Sequence, residues 1–306
     1  MRALVTGAAG FIGSNLAGKL AGGGATVVGL DDFSVGTFEN LTDFTGDFVT
    51  ADLAEPGWQA RVGKVDAVFH QAAITDTTVT DQRRMMQVNV EAFRNILEWS
   101  GSVGSSVVVY ASSAGVYGGG SVPMRESGPK APLNIYAFSK SIMETVAAEA
   151  SKRFPKMRII GLRYFNVYGP RESHKDAASS MILQLSKQMR SGRKPRIFEF
   201  GDQFRDFIYV KDVVEANLLA AEKAPSGVYN VCTGQKATFN EVIKNLNEVH
   251  GLKLETEYFK NPYSFYQNET LGDPSKAEKT FGFKAKFSPE QGIKDYFRGK
   301  MIPAGV

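Results

Sequence analysis

The chain has 306 residues, 43% hydrophobic and 22% charged, with a net charge of +4; this suits one large or two modest domains and is too little charge for a nucleic-acid partner. No apolar run reaches membrane-spanning length, so no membrane partner is expected, and no secretory leader precedes the first strand-like run. The single cysteine, Cys232, sits in an apolar run and can make no internal disulfide, which points to a buried thiol and a reducing, cytoplasmic home.

Short apolar runs at 3–6, 26–30, 65–70, 106–111 and 157–162 alternate with helical patterns at about 11–20, 81–99 and 136–153. That alternation predicts βαβ units: an α/β fold with a doubly wound parallel sheet. The rhythm then breaks. A helix is expected near 178–190, and short strands near 196–200, 206–210 and 227–231. Thr238 with Glu241, and Ser288-Pro289 with Gln291, read as helix starts of the capping-box type. No repeat or long linker separates the halves, so a cleft between them is the expected ligand site.

Gly7, Gly10 and Gly13 follow the first strand and open the first helix, with Phe11 and Ile12 between the last two. Glycines there permit a tight turn and let backbone approach a pyrophosphate, while the helix N-terminus offers free N–H groups. The spacing is GxxGxxG rather than GxGxxG. Asp31 ends the second strand, where an acid can accept hydrogen bonds from a ribose. Asp31 and Asp32 would repel a 2′-phosphate, and residues 33–40 hold no Lys or Arg, so NAD is expected over NADP. Asp52-Leu53 either contacts the adenine or merely ends a strand.

Tyr136 and Lys140 stand four apart on a predicted helix and so share a face. A neighbouring ammonium and the positive nicotinamide ring should both favour the phenolate, making Tyr136 a base for a hydroxyl proton, with Lys140 also holding the cofactor's ribose. Ser113, directly after the fifth strand, faces the ligand crevice and can share that proton, or simply form a turn.

With these motifs in order, and with RYFNVYG at 163–169 and RDFIYV at 205–210, the chain resembles the extended short-chain dehydrogenase/reductase superfamily. The resemblance covers nearly the whole chain. It implies a Rossmann-like cofactor domain over 1–164, to which about 206–231 returns, and a substrate domain from 165–205 and 232–306. It implies that Ser113, Tyr136 and Lys140 are catalytic and that Asn166 and Arg205 contact the diphosphate of a nucleotide-sugar substrate. It further places Ala72, Asn89 and Val167 at the cofactor and Phe198 and Tyr266 at the substrate, in a homo-oligomer.

Within the superfamily the chain is most similar to the heptose 6-epimerases that act on ADP-L-glycero-D-manno-heptose. Thr77-Thr78, Met85-Met86, RYFNVYGPRESHK at 163–175 and Tyr266-Gln267 carry the likeness. It implies that Lys175 is a second acid/base. Chemistry agrees, because a carbonyl intermediate that turns over needs a proton donor in each orientation. Three positions depart from that family: residues 176–180 read Asp-Ala-Ala-Ser-Ser, Gln184 stands where a histidine is frequent, and Phe38 stands where a lysine suits NADP. The alternatives are a UDP-hexose 4-epimerase, a dehydratase and a non-catalytic NAD-sensing protein. Ala114-Gly115 replaces the dehydratase Asp-Glu, and the retained Tyr136 and Lys140 speak against the sensor.

Overall fold

The computed structural model describes residues 1–77, 79–261 and 269–298. Its strands are β1 (Arg2–Thr6), β2 (Thr26–Asp31), β3 (Asp47–Thr50), β4 (Ala67–His70), β5 (Val107–Ser113), β6 (Arg158–Tyr164) and β7 (Asn166–Tyr168), then β8 (Arg196–Phe198), β9 (Phe204–Arg205), β10 (Phe207–Tyr209), β11 (Gly227–Val231), β12 (Ala237–Thr238) and β13 (Glu257–Phe259). Seven of them form one sheet in the order β11-β6-β5-β4-β1-β2-β3, every neighbour parallel. The runs are apolar throughout because both faces of such a sheet are covered by helices. Strand order reverses between β1 and β4, so a crevice opens beyond their carboxyl ends.

The helices are α1 (Phe11–Gly22), α2 (Trp58–Val62), α3 (Gln82–Met86), α4 (Ala92–Val103), α5 (Ile135–Arg153), α6 (Met181–Arg190), α7 (Val210–Lys223), α8 (Phe239–His250), α9 (Ser275–Phe281) and α10 (Pro289–Tyr296). The single helix expected over 81–99 is instead α3 and α4 joined by a π-turn at Gln87–Glu91. The wider turn contains Asn89, which is fully buried and bonded to Ile74 and Ser139. The helix expected from 178 starts at Met181, where Ser180 Oγ accepts from Leu183 N. Residues Ser173–Ala178 form a tight turn instead, broken at Asp176 by a left-handed φ of 44°.

The expected strand at 206–210 ends at Tyr209, because Val210 already begins α7. It pairs with β7 in a separate two-stranded sheet, while β11 joins the central one. The later elements have their own apolar core, in which Ile182, Leu185, Val242, Leu246 and Ile293 meet. Both capping boxes form, at Thr238 with Glu241 and at Ser288 with Gln291. Cys232 is buried. Among the described residues no helix is long and apolar enough to cross a membrane.

Candidate active site

A hollow of about 910 Å³ lies at the switch in strand order. Gly7, Gly10, Phe11, Ile12 and Gly13 line it from the β1–α1 turn; Asp31 and Asp32, Asp52 and Leu53, and Ala72 line it from the ends of β2, β3 and β4. Gly7 has φ +67, and a Cβ there would stand 2.7 Å from Ala72 N; one on Gly13 would stand 2.0 Å from Gly7 O. No side chain fits either place. Gly10 caps α1 without any side-chain oxygen, so the first-turn N–H groups remain for an anion.

Asp31 is 7% exposed. Its Oδ2 accepts from Ala9 N at 2.9 Å and its Oδ1 from Phe33 N at 2.8 Å. Burial pushes its carboxyl up, and those two N–H groups oppose the shift. Asp32 accepts from the backbone and hydroxyl of Ser34. Glycine turn, uncapped helix end and acid pair together fit a dinucleotide. The sequence reading missed Arg84, whose Nη2 donates to Asp52 Oδ2 at 2.7 Å. Burial would raise the Asp52 carboxyl, but Arg84 and Ala54 N outweigh it and hold it low. Thirty-two residues separate the pair, so no local spacing signals it.

Two expected cofactor residues do not line this hollow. Asn89 is walled off: its Oδ1 accepts from Ile74 N at 2.8 Å, and its Nδ2 donates to Ile74 O and Ser139 Oγ, each at 3.0 Å. It braces the 72–75 wall from behind. Val167, on β7, lines a second hollow instead.

Ser113 ends β5, and its Oγ accepts from Gly115 N at 3.0 Å, capping a short turn as its alternative reading held. Asn134 caps α5 by accepting from Ala137 N at 2.8 Å, which puts Tyr136 in the first turn and Lys140 one turn on. Lys140 Nζ lies 5.8 Å from the Tyr136 ring centre and donates to Ala111 O at 2.8 Å. Burial lowers the Lys140 ammonium to about 7. Burial also pushes the Tyr136 phenol up, and the Ser113 hydroxyl pulls the other way. In the cofactor-free protein desolvation disfavours charge on both groups, so the ammonium's pull on the phenol has burial to overcome. Behind them, Arg163 makes a two-pronged buried pair with Glu144 at 2.8 and 2.7 Å, and Ser112 donates to the same carboxylate. The pair ties α5 to β5 and β6.

Asn166, Phe198, Arg205 and Val167 line the second hollow, of about 1540 Å³. The Arg205 guanidinium lies 5.7 Å from the centre of the Phe239 ring. Asp206 turns inward, accepting from Thr233 N and Oγ1, Gly234 N and Gly272 N. The Arg205 guanidinium donates to Phe204 O at 3.0 Å. Tyr266, Gln267 and Thr78 lie outside the described residues.

Lys175 lines both hollows, and its Nζ has no bonding partner among the described residues. Burial lowers its ammonium, and the nearby Glu172 carboxylate opposes this. Ser113, Tyr136 and Lys140 form no part of either wall. Tyr164, whose phenol the Tyr136 hydroxyl influences electrostatically, bonds Gln71 Oε1 at 3.1 Å, and Gln71 lines the first hollow.

Solved structures carry the same fold. The ADP-L-glycero-D-manno-heptose-6-epimerase of Helicobacter pylori is 39% identical, over 97% of this chain and 95% of that one, with a TM-score of 0.90. The UDP-glucose 4-epimerase of Thermotoga maritima, solved with UDP-glucose, is 31% identical over 98% and 99%, with a TM-score of 0.90. The UDP-N-acetylglucosamine 4-epimerase of Methanobrevibacter ruminantium is 28% identical over 96% of each chain, also at 0.90. A model of the NAD dependent epimerase/dehydratase family matches residues 3–232. With the glycine turn, the acid pair and the Ser113–Tyr136–Lys140 group in place, the chain belongs to the NAD dependent epimerase/dehydratase family.

Proposed function

We propose that this enzyme inverts one stereocentre of a nucleotide-linked sugar, and that its substrate is ADP-glycero-manno-heptose, epimerised at carbon 6. The observation that carries the reading is Lys175, an ammonium that lines both hollows and has no hydrogen-bond partner among the described residues. When bound, NAD supplies a hydride acceptor that later returns the hydride, and a positive charge that favours a phenolate. Tyr136, with the Ser113 hydroxyl beside it, takes the proton of the reacting hydroxyl in one epimer. The sugar's carbonyl then presents its other face, and Lys175 supplies the proton to the second epimer. Asn166 and Arg205 hold the diphosphate, a guanidinium being suited to it. In this reading 1–164, with about 206–231, carries the cofactor, and 165–205 with 232–306 carries the sugar nucleotide.

The 4-epimerases at similar TM-scores favour a second reading, in which the sugar is a UDP-hexose and Lys175 is dispensable. The test incubates the holoenzyme separately with the ADP-heptose, UDP-glucose and UDP-N-acetylglucosamine and separates the products by chromatography. The expected result is epimerisation of the ADP-heptose alone, without added reductant and without free NADH. Lys175→Met should slow it by about 10² to 10⁴. Turnover of a UDP-hexose that survives Lys175→Met would put the second reading in its place.

A further inference from the structure

The loop that carries Lys175 is anchored by two consecutive side chains reaching in opposite directions. Arg171 has a left-handed φ of 73°. Its Nη1 donates to Ser14 O and Asn40 O, each at 3.0 Å, and its Nη2 pairs with Asp43. Ser14 lies in the first turn of α1, and Asn40 Nδ2 in turn donates to Ala9 O within the glycine turn at 3.0 Å.

Glu172 points the other way and is 1% exposed. Its Oε1 accepts from Gly169 N at 3.0 Å and Ser180 Oγ at 2.9 Å, and its Oε2 from Ser180 N at 2.7 Å. One carboxylate thus joins both ends of the 169–180 loop to the start of α6. Gln184 adds bonds to Ala177 O and Ser179 O.

From this geometry, and resting on the reading of Lys175 as an acid/base, we propose that Arg171 and Glu172 are positioning residues that hold Lys175 over the seam between the two hollows. The Tyr296 hydroxyl bonds the same carboxylate, and a buried carboxylate with four donors is costly to assemble. It is repaid only if the loop needs one fixed shape. Glu172 is also a negative charge that acts on Lys175. Replacing it by Gln turns an amide N–H toward a backbone N–H that needs an acceptor. Replacing Ser180 by Ala removes only the hydroxyl bond and is the milder variant.

The test has two arms, applied to Glu172→Gln, Glu172→Asp, Ser180→Ala and Arg171→Gln. The first needs no turnover. Trace acylation by an amine reagent, read by mass spectrometry, compares Lys175 with exposed Lys244 in each protein. Labelling of Lys175 should rise about fivefold or more in Glu172→Gln, as the nearby charge and the anchor are lost together, and return toward the parent in Glu172→Asp. The second arm mixes each epimer separately with holoenzyme and follows cofactor absorbance in the first turnover. The epimer served by Lys175 should react about a hundredfold more slowly in Glu172→Gln, and the one served by Tyr136 within about threefold of the parent. Ser180→Ala and Arg171→Gln should shift both readouts the same way by less. Unchanged labelling, or equal slowing of both epimers, overturns the proposal while Lys175→Met still tests the acid/base role. If Lys175→Met turns over like the parent, the acid/base reading fails and this proposal falls with it.

Discussion

Lys140 is 1% exposed, and burial lowers its ammonium from 10.5 to about 7. Below about pH 7 the folded and unfolded chains both carry the charge, and folding bears the whole cost of burying it. Between about 7 and 10.5 the unfolded chain keeps a proton that the folded chain has lost, so the cost fades as pH rises. Lys140→Met removes this dependence. Urea unfolding of the cofactor-free proteins at several pH values should show the parent gaining on the variant as pH climbs through that window. Parallel pH profiles would mean that the ammonium is not desolvated. Lys140→Met should also lack turnover, a group that destabilises the fold being retained for its chemistry. Tyr136→Phe keeps the ring and loses the hydroxyl. It should slow epimerisation by about 10² to 10⁴ and leave substrate affinity within about threefold, as kinetics and calorimetry would read.

Among the elements, the β1–α1 turn and the α3–α4 region show different kinds of legibility. The glycine turn was readable because its demand is local: a Cβ on Gly13 would meet Gly7 O, six residues away, at 2.0 Å. Gly13→Ala should therefore force the β1–α1 turn apart, lower the melting temperature of the cofactor-free protein and abolish the thermal shift on adding NAD. A normal shift would place the cofactor elsewhere. The family resemblance implies a cofactor role for Asn89, whose side chain bonds Ile74 and Ser139 behind the wall of the hollow. Asn89→Ala would strand the Ile74 N–H and C=O and cost about 1 to 3 kcal/mol, measurable by denaturant unfolding. The loop after β2 is local again. With Asp31 and Asp32 facing the hollow and Arg84 engaged by Asp52, NAD should bind at least about tenfold more tightly than NADP, roughly 1.4 kcal/mol. Equal affinities in a titration of cofactor-free protein would contradict this.

At the scale of the whole molecule, the amino-acid sequence by itself determined the α/β class, the parallel sheet, the glycine turn and the shared face of Tyr136 and Lys140. Each follows from periodicity or spacing within a few turns of chain. The tertiary structure alone decided which distant groups meet. It sent Val167 to the second hollow, turned Asp206 toward Thr233 and paired Arg84 with Asp52. It also laid Lys175 across the seam, through anchors from Arg171 to Ser14 and Asn40 that span 157 and 131 residues. Contacts at such separations depend on how the whole sheet and its flanking elements pack. No repeat or local propensity encodes them, so the place of Lys175 between the two hollows becomes visible only when the chain is folded.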